Sequence, residues 1–201
     1  MRKAVVGIGL LILSLVPLQV RAESALDVVK ARVNLVLGVL RDPALKADSP
    51  SVKEQKKKKL RAIFDQIFDY GEMSRAVLSR NWEKLSPQQQ TEFSGLFKTL
   101  LEKFYADTIL SYKDQQVTYG KERALGENRF EVETKLISGS TETPINFRLV
   151  QKNGEWWVYD FSVEGISVVT NYRSQFNRVL SKETPEGMLV NLRKQVAGLS
   201  Q

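Results

Sequence analysis

Between Gln115 and Val163 the apolar residues of this chain recur at every second position, and on both sides of that stretch they recur every third or fourth. A period of two belongs to half-buried strands, and a period near 3.6 to amphipathic helices. The chain therefore reads as helices, then strands, then helices. Val117 and Tyr119 belong to a first strand. Phe130, Val132, Thr134 and Leu136 alternate with Glu131, Glu133 and Lys135 in a second, and Ile145, Phe147 and Leu149 alternate with Asn146 and Arg148 in a third. Asn153-Gly154 is a strong hairpin signal, because both central positions of the favoured tight turn need positive φ. It leads into Trp157, Tyr159, Phe161 and Val163 on one face of a fourth strand, with Trp156 and Val158 on the other. Gly120 and Gly126 read as turn residues. The expected fold class is α+β: a four-stranded antiparallel sheet, arranged as a meander, with helices packed on one face.

The helices carry legible start signals. Ser24 caps a first helix to about Leu40, with Asp27 at N3, where a carboxylate suits the exposed amides. Asp42-Pro43 ends it. A second helix is expected from Ser51 to about Phe68, with Leu60, Ile63, Phe64, Ile67 and Phe68 as its core stripe. A short third helix covers Glu72 to Arg80, with Met73 and Val77 inward. In Ser86-Pro87-Gln88-Gln89 the serine caps, proline suits N1 and Gln89 completes a capping box. The helix that follows runs about 24 residues to Leu110, with Phe93, Leu96, Phe97, Leu100, Leu101, Phe104 and Tyr105 on one broad face. After Gly165, Ser167 caps a helix carrying Val168, Val169, Tyr172, Phe176, Val179 and Leu180. A last helix spans about Glu186 to Ala197.

The N-terminus reads as an export signal. Arg2 and Lys3 form a basic start, Ala4 to Val16 an apolar run too short to span a bilayer well, and Val20-Arg21-Ala22 a cleavage site. Residues 1–22 are thus expected to be a cleaved signal peptide, and residues 23–201 a single soluble domain. The 201 residues include no cysteine and no histidine. These absences exclude disulfides, thiolate nucleophiles and imidazole acid–base work, and remove nearly all zinc or copper sites. The net charge of +7 falls to +4 without Arg2, Lys3 and Arg21, leaving 27 basic against 23 acidic residues. A mildly basic exported protein suits anionic surfaces such as lipid headgroups and has no use for nucleic acid.

Two constellations stay open on the residues alone. Lys56 to Lys59, with Lys53 and Arg61, point all round a helix. They read either as a solvated face or as an attraction to anionic membrane or an acidic partner. Asp160 and Glu164 flank the glycine corner, with Arg173 about two helical turns beyond Ser167. They read as a structural ion pair at a strand–helix junction or as a carboxylate pair for acid–base catalysis. Ten aromatic residues are expected to converge between one sheet face and two helices, where large side chains either pack a core or hold the layers apart around a ligand.

Val163 to Phe176, VEGISVVTNYRSQF, resembles the signature of the MlaC family, also called the toluene-tolerance auxiliary family. Phe68-Asp69-Tyr70, Met73, Leu78 and Trp82 resemble its helical motif. Ser86-Pro87 with Phe93, Phe97, Leu101, Tyr105 and Tyr112 resembles its long helix, and Trp157-Val158-Tyr159-Asp160 its last strand. One departure is Ser79 after Leu78, where a glycine is common. The resemblance implies a periplasmic phospholipid carrier in a Gram-negative bacterium, with a sheet and helices related in outline to the nuclear-transport-factor-like (NTF2-like) cone and enclosing an apolar cavity. It implies hand-over of lipid between an outer-membrane lipoprotein–porin complex and an inner-membrane ABC transporter carrying an MCE-domain protein, which maintains outer-membrane lipid asymmetry. The ligand is then a phospholipid, with no metal, no cofactor and no catalysis. A shuttle needs no partner subunit, so a monomer is expected.

A diacyl lipid exposes about 30 methylenes, and leaving its tails in water costs roughly 20–25 kcal/mol at about 0.8 kcal/mol each. A closed apolar slot meets that demand and a surface patch does not. Phe97, Leu101, Phe104, Tyr105, Val132, Phe147, Leu149, Trp157, Tyr159, Val169, Tyr172 and Phe176 are the candidates for the tail cavity. Arg75, Arg80, Arg148 and Arg173 are the candidates for a headgroup rim. Two other readings remain: a cone-shaped hydrolase or isomerase using Asp160 or Glu164 as base, and a chaperone for the acyl chains of exported lipoproteins.

Overall fold

The computed structural model describes residues 23–112 and 114–199; the export signal expected over residues 1–22 lies outside them. Six helices and five strands follow in order: α1 (Ala25–Leu40), α2 (Pro50–Phe64), α3 (Tyr70–Leu78), α4 (Pro87–Leu110), β1 (Gln116–Gly126), β2 (Arg129–Ser138), β3 (Thr141–Lys152), β4 (Glu155–Val163), β5 (Ile166–Ser167), α5 (Val168–Leu180) and α6 (Pro185–Gly198). Short 3-10 segments at Pro43–Leu45 and Ser79–Lys84 join the early helices. Each α-helix starts on a side-chain cap, from Ser24, Ser49, Asp69, Ser86, Ser167 and Thr184 in turn. Such a cap stabilises by about 1 kcal/mol. At Ser86 the reciprocal capping box with Gln89 is complete.

α2 stops at Phe64 rather than running to Phe68. The chain leaves the helix because β4 claims it. Val158 N–H donates to the Ile67 carbonyl, and Asp69 N–H donates to the Val158 carbonyl, both at 2.9 Å. Asp69 then accepts from Glu72 N–H at 2.8 Å and starts α3 two residues before the expected Glu72.

The sheet is an antiparallel meander in the order β1-β2-β3-β4-β5, so it has five strands where four were expected. The fifth is two residues long. The glycine corner is itself a tight hairpin: Glu164 and Gly165 both take positive φ, 51° and 80°, and turn Ile166-Ser167 back onto Val163-Ser162. Asn153-Gly154 forms the same kind of turn, with φ of 53° and 84°. Gly120 lies within β1 rather than in a turn, whereas Gly126 ends β1 opposite Arg129, at the base of the turn over Glu127-Asn128.

The two faces of β4 are not those that strict alternation predicts. Leu149 pairs with Val158 and Arg148 with Asp160, so Tyr159 is an extra residue with no partner across the ladder. A bulge of this kind shifts the register by one and exchanges the faces beyond it. Phe161 and Val163 therefore share a face with Val158 and Trp156, while Trp157 lies on the face of Asp160. On the apolar side, Phe161, Phe147 and Val132 stand opposite one another on three strands. On the other side, Arg123, Glu131, Arg148 and Asp160 form a row of alternating charge across four strands.

The apolar interior divides in two. One cluster joins α3, α4, α5 and α6 around Phe93, Phe97, Leu101, Tyr172 and Phe176, with Tyr159 and Phe161 of β4 at its border. The other lies over the apolar face of the sheet, where Val28 and Val29 of α1 and Ile67 meet Val132, Leu149 and Val158. Among the described residues no helix is long and apolar enough to cross a membrane.

Candidate functional site

The two clusters differ in how completely they are sealed. The helical cluster is tightly packed: Phe93 and Phe97 are fully buried, with ring centroids 5.8 Å apart, and Phe176 meets Phe93 edge-on at 5.0 Å. Burial pushes the Tyr172 phenol up to about 12, with the neighbouring Tyr105 adding to the effect. Over the sheet, the buried residues are outnumbered by half-buried ones. Val33 and Val36 of α1, Ile63 and Phe64 of α2, and Tyr119, Phe130 and Phe147 of the strands all keep part of their apolar surface accessible.

A file of rings runs along this seam. Phe64 meets Phe68 at 5.9 Å, Phe68 meets Phe161 at 6.0 Å, Phe161 meets Tyr105 at 5.5 Å and Tyr105 meets Phe104 at 5.1 Å. It begins on α2, passes over β4 and emerges on α4, where Phe104 is 60% exposed. Phe104 continues the inward stripe of Phe93, Phe97 and Leu101, but among the described residues none seals that stripe at its position. Half-buried rings between a sheet and helices offer apolar contact area to a long, flexible apolar group.

The twelve residues expected around one cavity are split by this architecture. Phe97, Leu101, Val169, Tyr172 and Phe176 lie in the helical cluster, with Tyr105 and Tyr159 partly buried against it. Val132 and Leu149 are buried in the sheet cluster, and Phe147 is half-buried beside them. Phe104 stands at the surface. Trp157 lies in a separate cleft of about 450 Å³, with Glu23, Arg32, Asp65, Glu155 and Trp156. Phe64, Phe68 and Phe161 were legible as apolar positions of a helix and a strand. Their role in one ring file depends on the unwinding after Phe64 and on the bulge at Tyr159, which no periodicity announces.

Three of the four rim arginines lie around α3, and Arg148 lies apart on the sheet. The Arg75 guanidinium lies 5.7 Å from the Trp82 ring, and Arg80 is exposed nearby. Arg173 donates to the Ala76 carbonyl at 2.8 Å and ties α5 to α3. Arg148 donates to Glu131 at 2.8 Å and to Asp160 at 3.2 Å, on the polar side of the sheet. Asp160 is buried and fully engaged. It accepts from Arg148, from the Ser167 hydroxyl at 2.7 Å and from Val169 N–H at 3.0 Å, so it fastens β4 to the start of α5. Glu164 is exposed at the hairpin tip. Among the described residues no group of three or more acidic, cysteine or histidine side chains could hold a metal ion.

The chain is thus an α+β domain with half-buried rings between its sheet and helices, and its buried Asp160 is held in a strand–helix junction. The MlaC protein family profile matches residues 30–194, and the chain belongs to that family. It is 28% identical over 179 residues to the toluene tolerance protein ttg2D of Pseudomonas putida, covering 85% of this chain and 79% of that protein. It is 26% identical over 123 residues to the intermembrane phospholipid transport system binding protein MlaC of Haemophilus influenzae. That alignment spans 59% of this chain and only 58% of the Haemophilus protein. The fold matches a phospholipid-binding protein from Ralstonia solanacearum, solved in complex with a phospholipid, with a TM-score of 0.77 and 25% identity over 89% of this chain and 99% of that one.

Proposed function

We propose that this protein is a periplasmic phospholipid carrier whose acyl-chain slot lies along the seam between the apolar sheet face, α1, the end of α2 and the C-terminal half of α4. The observation that carries the reading is the ring file from Phe64 to Phe104, a run of half-buried rings that ends at an exposed one. Tails laid against those rings leave water, and the roughly 20–25 kcal/mol their hydration would cost is recovered within the protein. The phospholipid named for the Ralstonia structure and the transport named for the Haemophilus relative support the same ligand class. Phe147, Val132, Leu149, Tyr105 and Phe104 are the expected residues that border this seam; Phe97, Leu101, Val169, Tyr172 and Phe176 stiffen the wall behind it.

The carrier reading places residues 23–201 as one domain released from a signal peptide. Its donor and acceptor are an outer-membrane lipoprotein–porin complex and an inner-membrane ABC transporter with an MCE-domain protein, and its work keeps the outer membrane asymmetric. No bond is made or broken, and no metal or cofactor is needed. The test is mass spectrometry of the native protein, followed by lipid extraction, on material purified without detergent or delipidation. A phospholipid bound at about one per chain is the expected result, and protein free of lipid after that treatment would sink the carrier reading.

A further inference from the structure

We infer that α2 is a lid over the slot, held shut against α4 by charge rather than by packing. The inference rests on the slot reading above. α2 carries many charged side chains and buries only Leu60. Three ionic rungs cross from it and its C-cap to α4. Lys57 faces Asp107 at 3.9 Å, Arg61 donates to Glu102 at 2.9 Å, and Lys98 meets Asp65, the residue that caps the end of α2, at 2.5 Å. Two other lysines pair within the lid and its lead-in, Lys53 with Asp48 and Lys59 with Asp42. Lys53, Lys57, Lys59 and Arg61 of the basic stretch are thus engaged in local pairing or in the latch.

The latch is placed where the slot would open. Glu102 and Asp107 flank Phe104 and Tyr105 on α4, and Ile63 and Phe64 sit at the end of α2 that faces the seam. Swinging α2 away from α4 lifts Phe64 off Phe68 and bares that end of the ring file. At either end α2 is joined by short non-α segments, Arg41–Ser49 and Asp65–Gln66, that would absorb the movement, while Ile67 and Asp69 stay fastened to β4. Arg61 is more than half exposed and Lys98 about a third, so ions in solution reach the rungs and weaken them. An acidic surface offered to the same cations would do so too, which would couple docking to release.

The full chain is tested by its exchange of a pyrene-labelled phosphatidylcholine with zwitterionic phosphatidylcholine vesicles, so that salt does not act through membrane charge. Raising sodium chloride from about 50 to about 500 mM should speed exchange severalfold. Arg61→Gln and Lys98→Gln should each speed it about two- to fivefold at low salt and flatten its salt dependence. Reversing the rung, Arg61→Glu with Glu102→Arg, should restore the slow rate, which a merely structural role of Arg61 would not do. Failure of the reversed pair to restore it overturns the latch. A parent protein that takes up the lipid at a rate indifferent to salt overturns it as well, and that arm decides if the variants do not fold. A parent protein that takes up no lipid overturns the carrier reading instead.

Discussion

Ser79 is held at φ 50° and ψ −127°, a backbone conformation that suits glycine and strains an L side chain. It marks the point where α3 ends and the 3-10 segment over Trp82 begins, and Leu78 just before it is fully buried, so the turn has no room to relax. Ser79 makes no capping bond through its side chain that glycine would lose. Ser79→Gly should therefore stabilise by about 1 kcal/mol, raising the melting temperature by about 2–4 °C for a chain of this size. A melting curve checks it, and a lower melting temperature in the glycine variant would remove the strain argument. The departure from the family pattern at this residue was visible in the sequence. Its physical cost was not, because positive φ belongs to the turn and not to the residue type. Asp160 makes the opposite point. Its spacing from Glu164 left a catalytic pair open, and only the geometry shows its oxygens taken by Arg148, Ser167 and Val169.

Among the elements, α4 separates core from the proposed slot most sharply, because a single stripe passes from buried Phe97 to exposed Phe104. Phe97 is fully buried in the helical cluster, and Phe97→Ala should destabilise by about 3–5 kcal/mol. Phe104 lies seven residues on, along the same stripe, but is 60% exposed. Phe104→Ala should leave stability within about 0.5 kcal/mol while shortening the time a bound phospholipid stays. Denaturant melts paired with lipid dissociation rates distinguish the two, and equal loss of stability in both variants would erase the distinction. Much of this element was legible: Ser86, Pro87 and Gln89 announced its start, and the spacing of its phenylalanines its inner face. The same holds for the caps at Ser24 and Ser167 and for the Asn153-Gly154 turn, all local signals that tertiary contacts did not override. β4 was less legible. Its apolar residues were found, but their sides were not, since a bulge at Tyr159 reverses alternation halfway along the strand. What fixes that residue is distant in sequence: Arg129 stacks 4.6 Å over the Tyr159 ring and pairs with Glu72 of α3 at 2.7 Å.

At the scale of the whole molecule, the absence of histidine and cysteine sets how the protein answers to pH. Burial pushes the Glu131 carboxyl up, but hydrogen bonds from Arg123 and Arg148 more than offset this and hold it below its ordinary 4.5. Glu72, which ties α3 to the sheet through Arg129 and Lys152, is likewise pushed up by burial and pulled down further by those two partners. A carboxyl depressed in the folded state contributes stability that is complete above its unfolded value and is lost as pH falls through the folded one. These two junctions therefore weaken only below about pH 4.5. At the alkaline end, Lys152 is lowered by burial but raised on balance by Asp69 and Glu72. Burial raises the Tyr70 phenol, with Glu102 and Asp65 adding, and raises the Tyr172 phenol. Groups raised in the folded state contribute fully below their unfolded values of 10 to 10.5 and lose that contribution above them. Stability should accordingly form a plateau from about pH 5 to about pH 10, falling on both sides. Chemical denaturation midpoints across this range measure it. Glu131→Gln should lower the whole plateau, because Arg148 and Arg123 lose a buried partner, and should soften the acid edge. A step in stability near pH 6 to 7 would contradict the assignment, since the chain has no histidine, the side chain that ordinarily titrates there.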